Sequence, residues 1–191
     1  MSLIDSTYFI GRIALPIKKY DLIADYITRY ENQIIYKLFG YTLGNLIIAY
    51  NISTSPQRIK DIVEGKEYTI TDYSGVYMPT FGDVTIKWNG LKNTQLVSLI
   101  AYWVFYNYCL ENQTNITAAG GIVPQVEDAI NVGFAEKAVF AYRELTLLYG
   151  YRGQLSIEPS CFNFMYENYE TYPEWIFESI GVPGDVNIFG I

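Results

Sequence analysis

The chain has 191 residues, half of them hydrophobic, with a formal charge of −7 and no histidine. This length and apolar content point to one compact domain with a sizeable core rather than to a disordered chain. The acidic balance excludes nucleic-acid binding through a basic face. The missing imidazole excludes Ser-His-Asp and Cys-His nucleophile pairs and His-containing zinc sites.

Residues 1–17 read as an extended arm with one short helix. Asp5, Ser6 and Thr7 are candidate N-caps, and Gly11 and Pro16 interrupt any longer helix. The spacing predicts a helix over 20–38, with Ile23, Ile27, Tyr30, Ile34 and Leu38 on one apolar face. Asp25 and Arg29 form an i,i+4 pair on its outside. Gly40 suits the position just past a helix end. A second helix, 41–50, follows with Leu43, Leu46, Ile47 and Tyr50 inward, so the two should meet at a corner or hairpin. Ser55-Pro56 then opens a short helix through Val63.

Residues 66–88 change period. Tyr68 and Ile70 alternate with polar neighbours, as do Val84, Ile86 and Trp88, which predicts an inserted β-hairpin. Its long tip, Asp72 to Asp83, carries Val76, Tyr77, Met78 and Phe81. Those side chains either fold back on their own domain or touch another subunit.

The stretch from Trp88 to Leu110 opens with a Trp-Asn-Gly turn and becomes the central helix. Leu96, Leu99, Ile100, Trp103, Val104 and Leu110 form one stripe; Val97, Ala101, Phe105, Tyr108 and Cys109 cover the other side. A helix apolar nearly all round must be buried on most faces. The run falls short of the roughly 18 apolar residues of a membrane span. Helices 20–38 and 127–149 should cover two of its sides. The side with Tyr102 and Tyr106 is left for the hairpin base or an adjacent subunit.

Residues 112–125 read as a loop marked by Thr114, Thr117, Gly120 and Gly121. The next helix begins with Glu127 and Asp128 in its first turn and runs to about Tyr149. Ile130, Phe134, Ala138, Ala141, Leu145 and Leu148 form one stripe, and Val132, Ala135, Val139 and Tyr142 a second. The small residues allow another helix to approach closely. Residues 151–191 form a C-terminal extension, with a helix from Glu158-Pro159 to about Tyr169. The tail holds Val182, Val186, Ile188, Phe189 and Ile191 and docks onto its own domain or onto another chain.

The 19 Tyr, against 10 Phe and 3 Trp, have two readings. They line a surface buried on assembly, or they replace Phe in an ordinary core with hydroxyls reaching the surface. Cys109 and Cys161 lie in apolar surroundings and read as buried free thiols, a disulfide being the alternative. No basic and apolar leader of the secretory type is visible. Two widely spaced cysteines make no Cys₄ metal site, and no phosphate loop or dinucleotide fingerprint occurs. Gly120-Gly121 ahead of a helix is either an anion cradle or an ordinary loop. The acid pairs Glu127/Asp128 and Glu167/Glu170 suit helix starts and exposed faces better than catalysis. No catalytic residue, cofactor site or metal site is expected, and no enzyme.

Certain stretches resemble a known family. They are Asp25-Tyr26-Ile27 with Lys37-Leu38-Phe39-Gly40, Trp88-Asn89-Gly90-Leu91-Lys92 leading into Tyr102-Trp103-Val104-Phe105-Tyr106, Thr117-Ala118-Ala119-Gly120, and the terminal Asn187-Ile188-Phe189-Gly190-Ile191. In these residues and in the order of its elements the chain resembles the head–tail connector (adaptor) proteins of tailed bacteriophages. The likeness is nearest to connector-like proteins of crAss-like and other Bacteroidetes phages. The hairpin at 66–88 departs from the simplest helical adaptors of that family. The elements together make a mainly α fold, a helical bundle around the central helix: a helical body over 1–150 with an inserted hairpin at about 66–88, and a C-terminal docking extension over 151–191; the family's subunits are likewise mostly helical. The resemblance implies a virion protein made in the host cytoplasm and placed at the neck, in a homo-oligomeric, dodecameric ring beneath the portal protein. Tail or further ring proteins would be its other partners. DNA would slide through the channel without sequence-specific binding, and no membrane would be involved. The candidate interface anchors are Tyr77, Met78 and Phe81 at the hairpin tip, and Trp175, Phe177, Ile188 and Phe189 in the extension. The alternatives are another virion part, such as a tail-completion protein, or a small-molecule binder or enzyme.

Overall fold

The computed structural model describes residues 2–15, 20–70, 82–112, 115–117, 120–122, 134–150 and 159–176. The fold is mainly α with an inserted hairpin, as expected. Its elements are α1 (Tyr20–Ile48), α2 (Gln57–Glu64), β1 (Lys66–Ile70), β2 (Val84–Trp88), α3 (Leu99–Glu111), β3 (Asn115–Thr117), β4 (Gly120–Ile122), α4 (Phe134–Tyr149) and α5 (Cys161–Glu167). No helix among the described residues is long and apolar enough to cross a membrane.

α1 holds both helices expected over 20–50, joined at a kink. Gly40 sits there at φ 73°, ψ 173°, outside the helical region. A left-handed φ favours glycine, so the sequence marks this corner directly. Ile23, Ile27, Ile34, Leu38, Leu43 and Ile47 are buried as predicted. Leu46 is exposed instead: the buried face of the second half of α1 is narrower than its apolar spacing, taking in Leu43 and Ile47 only. Arg29 does not depend on Asp25 for an outer partner: it pairs with Glu111 of α3 at 3.2 Å. The short third helix starts after Pro56, without a side-chain cap. The Ser55 hydroxyl instead accepts the Asn51 N–H at 2.8 Å, closing the preceding turn.

β1 and β2 pair antiparallel, with Tyr68 opposite Ile86. The hairpin is fixed to the body at its base. The Leu91 and Lys92 N–H groups donate to the Ile62 and Val63 carbonyls at 3.2 and 2.8 Å. The Trp88 indole donates to the Ile62 carbonyl at 3.0 Å. These bonds satisfy carbonyls that the end of α2 leaves without intrahelical partners. Gly90, at φ 82°, allows the approach: a Cβ there would sit 2.6 Å from the Val63 carbonyl oxygen. The Trp-Asn-Gly turn is thus a cap on α2 as well as the re-entry from the hairpin.

α3 begins later than its apolar pattern suggests. Leu96 has φ 57°, and Ser98 caps the helix by accepting the Ile100 N–H at 3.2 Å while donating to the Leu91 carbonyl at 2.7 Å. Leu96 and Val97 therefore precede the helix, and Val97 and Leu110 are exposed. The rest of the helix is buried around its circumference, from Leu99, Ile100 and Ala101 through Trp103, Val104 and Phe105 to Tyr108 and Cys109. α1 meets it through an edge-on Tyr26–Tyr108 contact at 5.3 Å. α4 packs against it most extensively, and Ala138 and Ala141 are the buried small residues of that face. Tyr102 meets Phe140 and Tyr106 meets Tyr142, at 6.2 and 5.3 Å. The aromatic side of α3, expected to await the hairpin base or another subunit, is covered by α4 of the same chain.

The N-terminal residues are woven into the core rather than lying on it as an arm. Leu3, Ile4, Tyr8, Phe9, Ile13 and Leu15 are all buried, around two 3₁₀ turns at Ser6–Tyr8 and Gly11–Ile13. Asp5 caps the first by accepting the Thr7 N–H at 2.8 Å. Glu31 of α1, itself buried, accepts the Leu3 N–H at 2.6 Å and the Ser2 hydroxyl. Residues 112–125 are not all loop, since β3 and β4 pair antiparallel with Thr117 opposite Gly120. The expected helix start at Glu127 and Asp128 lies outside the described residues. α5 is shorter than expected: Ser160 caps it, and a 3₁₀ turn over Tyr169–Thr171 follows.

Most described tyrosines serve the core, with their hydroxyls on polar partners. Tyr8 donates to the Asn93 carbonyl at 3.2 Å, Tyr172 donates to the Arg58 carbonyl at 3.0 Å, and Tyr26 accepts from Asn112 at 3.0 Å. Both cysteines are free and buried.

Candidate interaction face at the helix kink

Of the seven interface candidates, Tyr77, Met78, Phe81, Phe177, Ile188 and Phe189 lie outside the described residues. Trp175 is described, and it docks in cis. Its indole N–H donates to the Leu38 carbonyl at 2.9 Å. A kink frees carbonyls on its N-terminal side from their helical partners, and Trp175 supplies a donor where the Gly40 corner does so.

Trp175 belongs to a clasp, residues 159–176, laid across the body. Phe164 stacks on Trp88 at 5.4 Å and 13° and meets Tyr68 edge-on at 5.7 Å. Tyr68 donates its hydroxyl to Glu167. Burial raises the Glu167 carboxyl against the lowering effect of that bond, and raises the Tyr68 hydroxyl well above its ordinary value. Arg58 of α2 forms an ion pair with Glu174, and its guanidinium also reaches the Thr171 carbonyl. The clasp therefore ties the hairpin, α2 and the α1 kink together. Of the Glu167/Glu170 pair, Glu167 accepts the Tyr68 hydroxyl.

Where the clasp meets the kink, a continuous aromatic and aliphatic ridge faces solvent. Tyr36 and Tyr41 stack across the corner at 5.5 Å. A Cβ on Gly40 would meet the Ile176 Cβ at 3.1 Å, so the end of the clasp lies directly on the glycine. Trp175 follows, with Phe162 edge-on to it at 5.6 Å, and Tyr166 stacks on Phe162 at 6.0 Å. Tyr41 is 74% exposed, Ile176 68% and Tyr166 62%. Scattered exposed apolar residues are ordinary, but adjoining ones mark a contact surface. The pattern reading missed Tyr41, Tyr166 and Ile176. The available signal was Tyr41 directly after the corner glycine and outside the apolar spacing of Leu43 and Ile47.

Two clefts flank the loop after β2. The larger, about 520 Å³, is lined by Asp5, Glu64, Lys87 and Lys92 among others, and the smaller, about 180 Å³, by Trp88, Asn89 and Leu148 among others. Charges of both signs ring the larger one, and several are engaged: Asp5 in its cap, Glu64 with the Tyr50 hydroxyl at 2.5 Å. Among the described residues, no group of three or more acidic or cysteine side chains is placed to hold a metal.

No protein-family model, curated protein or solved structure matches this chain.

Proposed function

We propose that the chain is a virion structural protein, a head–tail connector subunit that packs side by side into a ring beneath a portal and links capsid to tail around the DNA channel. The single observation that carries this reading is the exposed ridge Tyr41–Ile176–Tyr166, whose three side chains are the most exposed large apolar groups around the kink. Rigid hydrophobic anchors at the centre of a patch are the usual source of interface energy. Two further features support it. The hairpin base is capped onto α2, which fixes the start of the loop after β2 on the helical body. The net charge of −7 suits a channel through which phosphates pass without sticking.

In this reading the ridge meets a neighbouring copy or the portal, and the hairpin tip and terminal residues make the remaining contacts. The ring is dodecameric by the resemblance to connector proteins. The test is the size of the assembly formed by the full-length chain and by Tyr41→Asp, read by native mass spectrometry. Assembly of the parent and its loss in the variant support the reading. Assembly unaffected by Tyr41→Asp contradicts the role of the ridge.

A further inference from the structure

Among the described residues two carboxylates are buried, Glu31 of α1 at 5% exposure and Asp61 of α2 at 7%. Asp61 has a cation, the Lys66 ammonium at 3.0 Å, and a donor in the Gln57 amide at 2.7 Å. Glu31 has neutral donors only, the Leu3 N–H at 2.6 Å and the Ser2 hydroxyl, and no Lys or Arg among the described residues pairs with it. A buried carboxylate without a cation is costly. Burial is the main influence on its carboxyl; the two bonds and, last, the charge at the chain's N-terminus offset it only in part.

A cavity of about 290 Å³ opens beside this carboxylate, lined by Ser2, Thr28, Glu31, Asn32 and Ile48. The Thr28 hydroxyl already donates to the Ala24 carbonyl at 3.0 Å, so what it offers the cavity is an acceptor. An ionised carboxylate has about four acceptor sites, and two bonds use two of them. The lining therefore supplies acceptor oxygens, one uncompensated negative charge and an aliphatic wall at Ile48. An ammonium on an alkyl stem matches all three, with a positive charge, N–H donors and no acceptor, and an apolar stem. A bare divalent cation matches less well, since a single carboxylate is a thin ligand set for it.

We propose that the cavity beside Glu31 binds a primary alkylammonium group, its charge held by the Glu31 carboxylate and its stem laid on Ile48. The group belongs to a free small amine or to a lysine side chain of a second copy of the chain. The site does for Glu31 what Lys66 does for Asp61, with a cation from outside the subunit.

The test is calorimetric titration of the full-length chain with n-butylammonium chloride at neutral pH and low salt. The expected result is saturable binding of one equivalent, absent with n-butanol, which has the stem without the charge, and with potassium chloride. Glu31→Gln should weaken it about tenfold or more, the factor that corresponds to one charged hydrogen bond. Asn32→Asp, on the exposed rim of the cavity, should tighten it roughly twofold to fivefold, a gain that misfolding does not produce. Binding that does not saturate, that n-butanol reproduces, or that neither variant changes overturns the site. Native mass spectrometry of the parent with n-butylammonium then separates the two sources. An assembly that comes apart as the site saturates assigns the group to a neighbour's lysine, and an unchanged assembly or a monomer throughout assigns it to a free amine. None of these results touches the assembly role of the ridge, which Tyr41→Asp tests separately.

Discussion

The Trp175 indole N–H donates to the Leu38 carbonyl at 2.9 Å, so the C-terminal clasp is pinned at the corner where Gly40 breaks α1. The bond joins residues far apart in sequence and sets where the exposed ridge begins. Trp175→Phe keeps most of the ring and removes the donor. It should destabilise the fold by about 1–3 kcal/mol, the cost of a part-buried carbonyl left without its partner. The shift in urea midpoint at constant slope measures it.

Gly90→Ala should be more damaging. The added Cβ would lie 2.6 Å from Val63 and Glu64 backbone atoms, at a φ of 82° that side chains rarely adopt. Strain at the φ alone costs about 1–3 kcal/mol, and the clash forces the hairpin base off the end of α2. Thermal melting should fall by several degrees. Amide exchange should rise first at Leu91 and Lys92, whose N–H groups make the cap.

Glu31 predicts a pH dependence. Burial raises its carboxyl above the ordinary value of 4.5, only partly offset by the bonds from Ser2 and Leu3. The folded state therefore binds the proton more tightly than the unfolded one. The stability this contributes is fully present below pH 4.5 and is lost as pH rises through the raised folded value. Glu31→Gln keeps acceptor and donor capacity without the titration. The stability of the variant relative to the parent should rise as pH increases across that window. A difference that stays flat with pH contradicts the assignment.

Burial pushes the Cys109 thiol up to about 12 and raises Cys161 further. Neither should be alkylated by iodoacetamide at neutral pH in the folded chain, because the thiolate is the reactive form. Both should react once the chain is unfolded in urea, and intact-mass measurement counts the adducts.

Much of the body was legible because local signals and burial agree. Gly40 marked its corner, and the alternation around Tyr68 and Ile86 its hairpin. Period alone failed where a single residue competes with it. Leu96 and Val97 continue the apolar stripe of α3, yet the Ser98 cap and the turn at Leu96 exclude both from the helix. Leu46 has helical spacing with Leu43, yet it lies at the edge of the buried face and stays exposed. Nothing local announces that Glu31 would take the Leu3 N–H or that Arg29 would choose Glu111 over Asp25. Those partners come from the tertiary approach of other segments. The ridge was hidden for the same reason: Tyr41, Ile176 and Tyr166 adjoin only after the clasp closes on the corner.

Electron microscopy of the concentrated full-length chain, with averaging of the particles, tests the central claim most directly. The account predicts a closed ring around an axial channel, absent from Tyr41→Asp under the same conditions. Monomers alone at every concentration, or an assembly with no axial channel, would contradict it.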